Sequence, residues 1–208
     1  MTHMAPGSDG PNSRELRLVG AVRGKRVLDL GCATGQIAIS VARAGAVVIA
    51  VDGSPVLLAH ARAQAEAAEV RVEWHEGDLA DLAFLRADSI DAAVSVGAVA
   101  ETADLARLFR QVQRVLRPNA PFVFSYEHPF ASCVGAGGSV GHSYFDEGPF
   151  SVERHGQRAL RYVRTIADVF TELGRARFRV DVLVETPAES GPSAVPSEII
   201  WRSRKEGS

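Results

Sequence analysis

Nine residues, Val27-Leu28-Asp29-Leu30-Gly31-Cys32-Ala33-Thr34-Gly35, restrict the fold more than any other stretch of this chain. The first four read as a short buried strand closed by Gly31. Gln36 to Ala44 follows, with Ile37, Val41 and Ala44 at helical spacing, and Gly45 ends it. A strand that runs through a glycine turn straight into a helix is the first half of a βαβ unit. Its glycines let backbone approach a ligand without a Cβ in the way.

The alternation continues down the chain. Ala46–Val51 reads as a second buried strand, broken by Asp52-Gly53-Ser54-Pro55, and Val56–Ala68 as an alanine-rich helix opened by Pro55. Strands are expected at Val70–His75, Ile90–Ser95 and Pro121–Tyr126, with a helix at Ala103–Leu116 stopped by Pro118. Such regular alternation implies right-handed crossovers. The expected fold is a doubly wound, mostly parallel seven-stranded α/β sheet with helices on both faces and an antiparallel last strand. Thr165–Leu173 reads as a further helix. Arg177–Val184 alternates, with Phe178, Val180, Val182 and Val184 on one face, and Glu198–Arg202 is expected as a strand beside it.

A length of 208 residues suits one domain. Within it, residues 1–13 read as a loose polar tail, and only Ser13–Val19 could form an amino-terminal helix. The stretch 130–163 reads as a lid, because Gly135, Gly137, Gly138, Gly141 and Gly148 crowd the segment Phe130 to Gly148. Phe130, Tyr144, Phe145 and Phe150 are its candidate acceptor-binding side chains.

In an open α/β sheet, ligands bind at the carboxyl ends of strands where the winding reverses. Asp52 closes the second strand 21 positions after Gly31. A carboxylate there can accept both hydroxyls of an adenosine ribose. The glycine spacing departs from the dinucleotide pattern G-x-G-x-x-G, since Gln36 holds its third position, and this disfavours an NAD-dependent oxidoreductase.

The nine residues resemble the first motif of class I S-adenosylmethionine (SAM)-dependent methyltransferases, D-L-G-C-G-T-G, with Ala33 for the middle glycine. A negative φ at Ala33 is expected to accommodate its methyl group. The resemblance extends to Asp52, to Gly77-Asp78 after the third strand, and to Val115-Leu116-Arg117-Pro118 before the fifth, where Asn119 replaces a glycine and tolerates a left-handed backbone. It also covers Tyr162 to Pro187, and its nearest branch is the small-molecule, type 11-like enzymes. It implies a SAM-binding set of Asp29, Gly31, Cys32, Ala33, Gly35, Asp52, Gly53, Ser54, Asp78, Leu79, Val96 and Gly97. Within it Asp78 faces the adenine amino group, Leu79 lies beside the ring, and Asp29 lies near the methionine end.

The implied activity is in-line methyl transfer to a small-molecule acceptor; the alternative is a non-catalytic SAM or nucleoside binder. His128 and Glu101, at the ends of the fifth and fourth strands, are weak candidates for a general base. His128, His142 and His155 lack metal-ligand spacing, so no metal is expected. With 23 basic and 25 acidic residues there is no charge excess for nucleic acid or anionic lipid. Neither partner is expected, and a homodimer is left open. Two cysteines and no run of ~20 apolar residues set the expectation of a cytoplasmic protein.

Overall fold

The computed structural model describes residues 13–134, 139–146, 148–154, 157–187 and 195–207. Five parallel strands build its centre: β1 (Arg26–Leu30), β2 (Val47–Asp52), β3 (Val72–Glu76), β4 (Ala92–Val96) and β5 (Pro121–Glu127). Two longer strands, β8 (Phe178–Pro187) and β9 (Pro196–Lys205), complete a seven-stranded sheet in the order β3-β2-β1-β4-β5-β9-β8. Only β9 runs antiparallel, paired with β5 on one side and β8 on the other. A separate hairpin of β6 (Phe150–Arg154) and β7 (Gln157–Arg161) stands apart from it. The order reverses between β1 and β4, so the crevice lies at their carboxyl ends.

Helices cover both faces. The amphipathic α4 (Leu105–Val115) buries Leu105, Leu108, Phe109, Val112 and Val115, a 3.6-residue stripe. They pack against Phe122, Phe124 and Trp201 of the sheet and against α5 (Ile166–Arg175). The opposite face carries α1 (Ser13–Val19), α2 (Gln36–Arg43) and α3 (Pro55–Ala67) over Val48, Val94, Val123 and Ile200. The helix starts follow local chemistry. Ser54 accepts from the Leu57 N–H with Pro55 in the first turn, Asp104 accepts from the Arg107 N–H at 2.8 Å, and Thr165 and Asp168 form a capping box.

The fold class matches the expectation, with three corrections. Residues 150–154 pair antiparallel with 157–161 within the expected lid, because cross-strand pairing organises a polar segment that carries little apolar alternation. The valines of β8 do not share one face: a register shift between Val180 and Val182 sends Val180 to the α4–α5 core and Val184 to the opposite one. Asp181, at that bulge, bonds both Arg202 and Arg204. Element ends also move by a few residues: Ile90 makes an isolated bridge to Leu116 before β4, and β9 begins at Pro196. Most of the expected tail, the glycines 135, 137 and 138, and His155 lie outside the described residues.

Candidate active site

The turn after β1 is the site's foundation. The Gly31 and Cys32 N–H groups both donate to the Val51 carbonyl, tying the turn to β2. Gly31 has φ +71°, and a Cβ there would lie 2.1 Å from the Ala98 Cβ. Only glycine fits, so the end of β1 and the segment after β4 close to backbone distance. Ala33 also has a positive φ, +46°. The negative φ expected there is wrong: the turn keeps the left-handed geometry that suits a glycine, and alanine bears the strain. Gly35, at φ +80°, caps α2 without a side-chain bond.

Asp52 locks the turn from the side. Its Oδ2 accepts from the Ala33 N–H and its Oδ1 from the Ser54 N–H, both at 2.8 Å. Each oxygen retains a second acceptor position. The Gly77 N–H donates to the Asp52 carbonyl, bringing the β3 turn alongside, where Asp78 Oδ1 accepts from the Ala80 N–H.

These strand ends wall a cleft of about 450 Å³. Of the residues named from the sequence, Gly31, Ala33, Asp52, Gly53, Ser54, Asp78, Leu79 and Glu101 line it. Cys32 and Gly35 shape the turn without lining the cleft, and Val96 and Gly97 lie behind it at the end of β4. The opposite wall consists of Ala98, Thr102, Ala103, Asp104 and Arg107, with Leu57 and Gly77 filling the sides. The sequence reading missed this wall, although Asp104 was recognisable as a helix cap. Four carboxylates (Asp52, Asp78, Glu101 and Asp104) face one cation, Arg107. Such a lining favours hydroxyls, amines and cations over pyrophosphate.

Asp29 lies beneath the turn and is almost wholly buried. Burial pushes its carboxyl up to about 7; the Ala38 N–H at the start of α2 opposes the rise, and the Asp52 carboxylate adds to it. Its Oδ2 has no hydrogen-bond partner.

His128 is not on the cleft. Its Nδ1 accepts from the Phe130 N–H, so Nε2 carries the proton and donates to Glu185 at 2.9 Å. Both nitrogens are engaged and the ring is buried, an arrangement that fixes the chain leaving β5. The lid aromatics divide. Tyr144 meets Phe130 at a tilt and Phe145 edge to face, and its hydroxyl accepts from the Ile166 N–H. Phe150 instead lines a separate cavity of about 150 Å³ with His142 and Arg161. The segment after β7 braces the cleft: Tyr162 N–H donates to the Ala100 carbonyl and Arg164 to those of Thr102 and Ala103.

A family model described as a methyltransferase domain matches residues 27–119, the span that builds every wall of this cleft. The crystal structure of an S-adenosylmethionine-dependent methyltransferase from Mesorhizobium loti superposes with a TM-score of 0.76 at 27% identity, covering 92% of this chain and 95% of that one. Over residues 27–119 in sequence, and across the whole sheet in fold, the chain is similar to SAM-dependent methyltransferases. Among curated proteins, the ubiquinone biosynthesis O-methyltransferase of Azorhizobium caulinodans is 30% identical over 116 residues, 56% of this chain and 44% of its own length. The 2-phytyl-1,4-naphtoquinone methyltransferase of Synechococcus elongatus is 38% identical over 102 residues, 47% of this chain and 43% of that protein. The chain thus matches less than half the length of these relatives, and the methyltransferase match stops short of the lid. No helix among the described residues is long and apolar enough to cross a membrane.

Proposed function

We propose that this chain binds SAM in the cleft and catalyses transfer of its methyl group to a small, aromatic or quinone-like acceptor. The observation that carries the reading is the pairing of Asp52 and Asp78, on neighbouring strand ends, across from a turn that admits no side chain at Gly31.

The residues fit the group. The open acceptor positions of Asp52 suit two ribose hydroxyls, and Asp78 suits the adenine amino group, with Leu57 and Leu79 against the ring. Gly31 and Ala33 bring backbone close to the methionine portion, with Cys32, Gly35, Gly53 and Ser54 holding the turns and Val96 and Gly97 closing the floor. The unpartnered Oδ2 of Asp29 suits the cationic end. When bound, SAM supplies an electrophilic methyl on a good leaving group.

The chain's own contribution is then orientation and exclusion of water. Holding acceptor and methyl donor in line lowers the barrier by ~7–11 kcal/mol without a covalent enzyme intermediate. His128, with both nitrogens bonded, is poorly suited as a base. Glu101 lines the cleft and is the better candidate where the acceptor must lose a proton. The similarity to a ubiquinone biosynthesis O-methyltransferase and a 2-phytyl-1,4-naphtoquinone methyltransferase supports a flat apolar acceptor. Two free buried cysteines accord with a reducing, cytoplasmic setting.

The test is a panel of catechols, hydroxybenzoates, quinols and aliphatic amines incubated with SAM carrying a labelled methyl group. Label appearing in an aromatic acceptor supports the reading. Turnover confined to amines overturns the acceptor class, and no turnover with any acceptor counts against catalysis.

A further inference from the structure

The two long walls of the cleft are secured differently. Asp52, Gly53, Asp78 and Leu79 stand at or just beyond the ends of the paired strands β2 and β3. Thr102, Ala103 and Asp104, in the opposite wall, belong to neither helix nor strand. The bonds Thr102 makes within its own loop are long: its hydroxyl donates to the Ala98 carbonyl at 3.2 Å and its N–H to the Val99 carbonyl at 3.4 Å. Shorter bonds reach this loop from beyond residues 27–119. The Tyr162 N–H donates to the Ala100 carbonyl at 2.7 Å, and one nitrogen of the Arg164 guanidinium donates to the carbonyls of Thr102 and Ala103 at 2.7 and 2.8 Å. These donors are themselves fixed. The Arg164 Cζ lies 5.3 Å from the centroid of the Tyr162 ring, close enough for the ring to steady the planar guanidinium. Val163 and Thr165 beside them are buried, and Thr165 opens α5 with its capping box. Bonds from a charged donor are stronger than neutral ones, and two from one nitrogen fix the direction of successive peptide groups.

Resting on the reading of the cleft as a SAM site, we propose that Arg164 is a positioning residue for that site, and that through it the segment joining β7 to α5 is coupled to cofactor binding. Arg164 does not line the cleft. It acts through the Thr102 and Ala103 carbonyls, holding their wall in place opposite Asp52 and Asp78. With Arg164 present, the wall is set before the ligand arrives. Without it, ordering Thr102 to Asp104 subtracts from the affinity. Such coupling is reciprocal. A cofactor that spans the two walls holds Thr102 and Ala103 still, and thereby steadies Tyr162 and Arg164, neither of which lines the cleft. A residue that served only the stability of the fold would lower the melting temperature, but would leave both affinity and this remote response unchanged.

The experiment is calorimetric titration of the intact chain and of Arg164→Ala with SAM and with its demethylated product, joined to amide exchange at Tyr162 with and without ligand. The expected result is about tenfold weaker binding of both ligands by folded Arg164→Ala. In the unmodified chain, saturating ligand is expected to slow exchange of the Tyr162 N–H by about tenfold, and Arg164→Ala to lose most of that response. Equal affinity in folded Arg164→Ala overturns the proposal and leaves the site reading intact, as does Tyr162 exchange in the unmodified chain that ignores bound ligand. Where Arg164→Ala fails to fold, Arg164→Lys takes its place, keeping the charge on a shorter stem that cannot lie flat against Tyr162. Its expected loss is about threefold, and equal affinity again overturns the proposal. No binding of either ligand by the folded, unmodified chain overturns site reading and proposal together.

Discussion

Ala33 carries a methyl group at φ +46°, where glycine is unstrained. Ala33→Gly is therefore expected to raise stability by about 0.5–1 kcal/mol, against the usual cost of a new glycine, and to leave cofactor affinity within about threefold. Denaturant unfolding checks this; a loss of stability would mean the turn relaxes around the alanine. Asp29 makes an opposite case. Its carboxyl titrates at about 7 in the folded chain against 3.8 in the unfolded one. The folded state thus binds the proton more tightly, so this contribution is full below about pH 4 and is lost as the pH rises through 7. The ligand-free protein should lose a few kcal/mol between pH 5 and pH 8 from this group, with Asp29→Asn flattening the profile. Parallel melting curves for the two would refute that assignment. The need of Asp29 for a partner was legible in its strand position. The φ of Ala33 was not, because alanine gives no signal of a left-handed backbone.

Elements place these residues, and the decisive contact is between two of them: the turn after β1 and the 3₁₀ turn Ala98–Glu101 after β4. Gly31→Ala puts a Cβ 2.1 Å from that of Ala98 at φ +71°. The expected cost is about 2–4 kcal/mol, with at least tenfold weaker SAM binding because the two turns must part. Thermal melts together with a SAM titration check both effects. The same element scale explains what could be read in advance. Strands β1, β2, β4 and β5 announce themselves as largely apolar runs, since burial on both sheet faces demands hydrophobicity, whereas the edge strand β3 alternates Val72, Trp74 with Glu73, His75. The hairpin from Phe150 to Arg161 carries Ser151, Glu153, Arg154, Gln157 and Arg158 and offers no such run. Its strands owe their form to cross-strand pairing. The bulge in β8 was equally hidden, because alternation in sequence does not record where a register shifts.

At the scale of the molecule, residues 27–119 supply every wall of the cleft, and the later segments brace it from outside. Residues 27–119 were legible because the tight turn at Gly31 and the carboxylates Asp52 and Asp78 stand at fixed places at the strand ends, as the proposed methyl-donor site requires. The wall from Thr102 to Arg107 and the brace from Tyr162 to Arg164 were not, since their positions follow from packing of α4 and the hairpin's exit. The aromatic side chains of the expected lid were legible, but that Phe150 parts from Phe130, Tyr144 and Phe145 to line a separate cavity emerged only with the fold. The central claim, that the cleft is a SAM site anchored by Asp52, is tested most directly by titrating the protein with SAM and with its demethylated product, beside Asp52→Ala. That variant loses the acceptor of the Ala33 and Ser54 N–H groups as well as the proposed ribose contact. Binding of at least one ligand in the micromolar range, weakened at least tenfold in a still-folded Asp52→Ala, is the predicted result. Absence of binding by folded protein, or equal affinity in the variant, would contradict it.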